Sequence, residues 1–207
     1  MFYNERLRSA NMFVPGTIAL ILMLISTLMT SISITREKEL GTMEILLVSP
    51  LKPIQIILGK VVPYMTLAFF DSIVIIAMGY FVFHVPVHGS ILLLFGLCLL
   101  YIFLALSIGI LISTISKTQQ VAMIISLVGL MLPTVLLSGF IFPIDNMPKI
   151  LQFVSIFMPP RWFLSALKDI MLKGVGLGYI WKDIVILISM LIGFILLSVK
   201  NFRIRLS

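Results

Sequence analysis

The chain has 207 residues, 60% of them hydrophobic and only 11% charged, with a mean hydropathy of +1.20. A soluble domain carries about 25% charge, so this composition excludes a water-solvated globule and indicates a chain built for the lipid bilayer. The net charge of +7 does not point to nucleic acid either, because the basic residues sit singly at the ends of apolar runs with no interleaved aromatic cluster.

A transmembrane helix needs about 20 apolar residues. Five runs are read as spans: 13–35, 61–83, 89–116, 118–144 and 180–199. The fold class expected is therefore all-α, a polytopic helical membrane protein occupying 1–207 as a single unit. The first run is too long for the core of a cleaved signal sequence and lacks a small-residue cleavage site. The last has only a short strictly apolar core, which becomes adequate if Tyr179, Trp181 and Lys182 lie in the interface.

Between the first two runs lies a charged segment, 36–50. Leu40, Met43 and Leu47 are spaced three and four apart, with Glu37, Lys38 and Glu44 among them. That pattern predicts a short amphipathic helix on the membrane surface, with a face open to a partner. Its acids have a plainer reading as a solvated face with pairing inside the helix. Near the other end, 146–173 carries two apolar stripes at helical spacing, one with Ile150, Leu151, Val154 and Phe157, the other with Phe163, Ala166, Leu167 and Ile170. Pro159-Pro160 separates them, which predicts a helix pair, either re-entrant or flat on the surface.

Charge bias leaves orientation open. With 36–60 inside, basic residues divide eight against seven across the two sides; leaving out Asp145 to Asp183 as a re-entrant unit makes it eight against two.

Few residues invite chemistry. Asp71 lies near the middle of the second run, where a carboxylate is expensive, and is a candidate intramembrane polar site or a hydrogen-bonded seam residue. His84 and His88 flank Pro86 in a loop, and no metal site is expected there. Cys98 is the only cysteine, which excludes an intrachain disulfide or cysteine-based zinc site. The serines are dispersed through the spans, where they bond helix to helix, and no nucleophile–base pair stands out. No G-x-x-x-x-G-K-[ST] occurs, so a P-loop ATPase would have to be another subunit. No catalytic or cofactor-binding residue is expected.

Several segments together resemble a family. Phe13-Val14-Pro15-Gly16 is similar to the opening of its second span. Arg36-Glu37-Lys38-Glu39-Leu40-Gly41-Thr42-Met43-Glu44 with Leu47-Val48-Ser49-Pro50 is similar to its specific glycine-threonine-glutamate segment. Phe83 to Ser90 and Ser138 to Pro148 resemble its later connections. The chain resembles the type-2 permeases of ATP-binding-cassette exporters. The resemblance implies that 36–50 is a cytoplasmic coupling helix seated in a groove of an ATP-binding subunit. Arg36, Glu37, Glu39, Gly41, Thr42 and Glu44 would be the contact residues, Gly41 allowing close backbone approach.

It further implies ATP and magnesium in that partner, a second permease subunit forming a homo- or heterodimer, and a bacterial inner-membrane location. The expected function is ATP-driven export of an amphipathic or hydrophobic substrate by alternating access, through a pathway lined by the first, second and fourth spans. Family members carry an amino-terminal span and a large extracytoplasmic domain ahead of the part seen here. This predicts a fragment, a split gene or a shortened variant. The alternatives are a non-transporting remnant or regulatory subunit, and an ion-gradient-driven transporter that uses Asp71.

Overall fold

The computed structural model describes residues 9–42 and 53–204. Within them the elements are, in order, α1 (Ser9–Glu39), α2 (Pro53–Phe81), α3 (Ile91–Ile115) and α4 (Gln119–Leu137). A 3-10 turn (Ile144–Asn146), α5 (Lys149–Ile156), α6 (Pro159–Lys168), a π-helical turn (Asp169–Lys173) and α7 (Leu177–Ile204) follow. Five helices, α1 to α4 and α7, are long and apolar enough to cross a membrane. They alternate in direction, so the ends near Glu39, Pro53, Ile115 and Gln119 share one side.

The third span is the axis of the molecule. Helices α1, α2, α6 and α7 all pack on α3. Leu94, Cys98, Tyr101, Ile102, Leu104, Ala105 and Leu106 are sealed from the exterior. By contrast α2, α4 and α7 bury only a minor share of their most apolar windows. Their outer faces, with Phe70, Val74, Leu132 and Leu196 exposed, have the apolar character that hydrocarbon requires.

Hydroxyls join the buried helices, as the scattered serines and threonines imply. Thr27 Oγ1 donates to Ala105 O at 3.0 Å, Ser31 Oγ and Ser126 Oγ are 2.9 Å apart, and Ser198 Oγ donates to Ser107 O at 3.3 Å. Each bond ties a different pair of spans: α1 to α3, α1 to α4, and α7 to α3.

The structure moves several bounds. The first helix runs on past Thr35 through Glu39, so Arg36 to Glu39 form its last turn and not the start of a separate surface helix. The fourth stops at Leu137, short of 144, because Gly139 takes a φ of +79° and turns the chain before Phe140. The fifth begins at Leu177, ahead of 180, and is 28 residues long, about 42 Å at 1.5 Å per residue, so it has length to spare for a tilted crossing. Lys173 and Lys182 lie over the Tyr179 and Trp181 rings near its start, an arrangement suited to a membrane interface.

Pro159 and Pro160 open α6 rather than merely closing α5, since the first helical turn has no use for their missing N–H groups. The two segments, Lys149–Ile156 and Pro159–Lys173, meet at 85°. Arg161 donates to Gln152 O and Ser155 Oγ, and Trp162 Nε1 to Ile156 O, holding the corner. The α2–α3 loop docks on this unit through His88 N–H to Met171 O at 3.0 Å.

At Gly109 the α1–α3 contact allows no side chain: a Cβ there would lie 2.8 Å from both Thr27 O and Thr30 Cβ. Overpacking of this kind costs about 1–3 kcal/mol. Gly109→Ala therefore lowers the unfolding temperature in detergent. Gly193→Ala, where a Cβ would meet nothing within 4 Å, does not.

Candidate functional site

The last turn of α1 carries four consecutive ionisable residues, Arg36 to Glu39. On a helix, successive side chains point about 100° apart, and three of these four meet three different spans. Glu37 forms an ion pair with Lys60 of α2. Lys38 Nζ donates to the carbonyls of Ser113 and Ser116, at 2.5 and 3.1 Å, with Thr114 O at 3.5 Å. Glu39 Oε2 accepts from Gln119 N at 2.9 Å and from Gln119 Nε2 at 3.0 Å.

Helix physics explains the choice of charges. The last carbonyls of a helix and its first N–H groups lack partners within the helix, and they leave partial negative and positive charge at the two ends. Lys38 meets the carbonyl end of α3; Glu39 meets the N–H end of α4. Thr118, the N-cap of α4, adds its own acceptor to Val121 N at 3.4 Å.

Gly41 ends this segment. It has a φ of +71°, and Leu40 N–H still bonds to Arg36 O while Gly41 N–H turns to Lys38 O. A left-handed residue just past the last helical one is the common way to stop a helix, and glycine enters it without steric cost. Within this chain the glycine requirement is therefore conformational, since a Cβ would meet nothing within 4 Å. Thr42 Oγ1 donates back to Glu37 O at 3.3 Å.

Of the six expected contact residues, Glu37 and Glu39 are thus engaged within the chain. Arg36, Gly41 and Thr42 are exposed, as is Leu40, at 62%. Glu44 and the remainder of the expected amphipathic helix, from Met43 to Pro50, lie outside the described residues. Sequence reading named Lys38 among the charges of this segment but not the carbonyls it meets, and overlooked Lys60 and Gln119 as partners of the turn. The only available signal was their position at the ends of apolar runs.

Asp71 is half-buried on α2, and among the described residues no side chain bonds to it. It stands far from the charged turn, near the middle of its span. An apolar groove of about 440 Å³ lies elsewhere, between the starts of α3 and α7, lined by Leu93, Gly96, Leu97, Leu177 and Ile184. It is formed by the third and fifth spans, not by the first, second and fourth expected to line a pathway.

A helical bundle with five helices long and apolar enough to cross a membrane among the described residues, and a charged connection after the first, fits a membrane transport subunit in architecture. The profile of the ABC-2 family transporter proteins matches residues 1–200, and the chain belongs to that family. It is 37% identical over 183 residues to "Probable multidrug ABC transporter permease YbhR" of Escherichia coli (strain K12), covering 88% of this chain and 50% of that one. With "Probable multidrug ABC transporter permease YbhS" of the same organism it shares 35% identity over 173 residues, 84% of this chain and 46% of the relative. "ABC transporter G family member 20" of Dictyostelium discoideum is 28% identical over 201 residues, 96% of this chain and 27% of its own. The chain spans about half the length of the two bacterial relatives.

The Glu37–Lys60 pair can be tested by exchange. Glu37→Lys or Lys60→Glu alone places like charges together and lowers stability by about 1 kcal/mol, while the double exchange recovers most of the loss. Thermal unfolding of the four proteins in detergent measures both effects.

Proposed function

We propose that this chain is the membrane-spanning permease of an ATP-driven exporter, with residues 36–50 as the seat of a separate ATP-binding subunit. The observation that carries the reading is the last turn of α1, where one side is bonded to α2, α3 and α4 while Arg36, Leu40, Gly41 and Thr42 remain exposed. A segment bonded inward to three spans and open outward is placed to receive force from a partner. Membership in the ABC-2 family and similarity to the probable multidrug permeases YbhR and YbhS support the same reading.

In this reading ATP and magnesium bind in the partner, and the energy enters only as a difference in contact between its ATP-bound and ATP-free states. Two permease subunits, identical or paired with a relative, face each other in the inner membrane and alternate access between its sides. The cargo is amphipathic or hydrophobic, in keeping with spans that offer few fixed charges and with the multidrug designation of the two relatives. With 36–50 cytoplasmic, α5, α6 and the α2–α3 loop face outward.

Purification of the native complex in mild detergent tests the seat. Wild type brings down a P-loop ATPase, identified by mass spectrometry, and Leu40→Asp or Glu44→Lys reduces its recovery about tenfold, equivalent to about 1.4 kcal/mol. Wild-type complexes without any ATPase sink the proposal.

The half-buried carboxylate of Asp71 near the middle of α2 is the observation behind the second reading, an ion-gradient-driven transporter. The two separate on one substitution. Asp71→Asn abolishes transport if the carboxylate carries the coupling ion, and reduces it only modestly if ATP supplies the energy, as measured by dye efflux from cells expressing each form.

A further inference from the structure

The α3–α4 connection is a tight turn of three residues, Ser116, Lys117 and Thr118. Such a turn places the carbonyl end of one span beside the N–H end of the next, two opposite partial charges that must both be satisfied at the membrane boundary. Adjacent residues of α1 supply the two complements: the Lys38 ammonium on Ser113 O and Ser116 O, and the Glu39 carboxylate on Gln119 N and Nε2. Both residues bond to backbone, which cannot rotate away as an exposed side chain can, and Glu39 adds the Gln119 side-chain amide. The bonds are also charge-assisted, roughly twice as strong as neutral ones. Ser116 helps by bonding its own Oγ to Ile112 O at 2.8 Å, which keeps the end of α3 helical.

We propose that Lys38, with Glu39 beside it, is a positioning residue that locks the α3–α4 turn to the end of α1, so that residues 36–42 and the turn move as one body. This rests on the reading that a partner ATPase displaces 36–50, and adds to it the route by which the displacement reaches the third and fourth spans. Force delivered at Arg36 and Leu40 passes through Lys38 to α3 and through Glu39 to α4. The loop from Phe81 to Ile91, on the other side of the membrane, plays no part in this step.

The test uses spin labels on the complex purified with its ATPase, in a Cys98→Ser background because Cys98 is the only native thiol. One label is placed by Thr42→Cys and another, in a separate protein, by Lys117→Cys; both positions are exposed. A non-hydrolysable ATP analogue changes the spectrum of both labels in wild type. With Lys38→Met and Gln119→Pro combined, the proline at the first helical position removing both groups that Glu39 accepts from, the change at position 42 persists and the change at 117 falls at least fivefold. Lys38→Arg, which keeps a charged donor, restores it, and that rescue separates the positioning role from a general loss of folding. A response at 117 that survives in the Lys38→Met, Gln119→Pro protein overturns the lock. Nucleotide-insensitive labels at both positions in wild type overturn instead the underlying reading of an ATPase seat, and the lock with it.

Discussion

The constraint on which this structure depends is the bilayer's refusal to solvate backbone polar groups. Inside a span the helix satisfies its own N–H and C=O groups, but every span has two ends where it cannot. A chain with several spans therefore has to place acceptors and donors at each boundary. At one boundary this protein concentrates that work in a single helical turn. Glu37, Lys38 and Glu39 reach three neighbouring spans, two of them by capping helix termini. The same turn leads directly into the segment proposed to meet a partner.

The opposite boundary is closed differently, by backbone folding back on itself. Helices α5 and α6 meet at 85°, Arg161 and Trp162 bond across the corner, and the π-helical turn ends at Gly174 with a φ of +68°. The α2–α3 loop fills the remaining gap: a Cβ on Gly89 would lie 2.6 Å from Ile170 O. The π-helical turn is itself buried at Asp169, Ile170 and Met171, so protein covers this stretch of irregular backbone. One end of the bundle is thus held by charge and the other by close packing of backbone.

The spans were legible in the sequence because charge is scarce, and its scarcity marks where the bilayer lies. The errors in their limits share a cause. Arg36 to Glu39 look like an exit from the membrane, yet they are good helix formers and their charges find partners on other helices, so α1 continues through them. Phe140, Ile141 and Phe142 look like membrane, yet Gly139 has already turned the chain. Asp183 looks like a boundary, yet α7 starts six residues before it. The candidate site was legible as a charged segment, but its inward bonds were not. Those depend on Lys60, Ser113, Ser116 and Gln119 arriving at one place, and periodicity along one helix carries no information about that.

The stacked pair at the heart of the molecule has a mechanical consequence. Tyr101 lies flat on Phe163 of α6, with ring centroids 3.9 Å apart, and its hydroxyl donates to Ala19 O of α1. Twelve residues further along α3, about 18 Å at the helical rise, Ser113 O receives Lys38. The third span is therefore keyed to the first at three heights, with Thr27 on Ala105 between the other two, and to the outer hairpin at one of them. Such a rod cannot twist about its own long axis at one end alone. If the proposed partner turns α3 at its Lys38 end, the Tyr101–Phe163 stack is where that rotation would be felt near the opposite boundary.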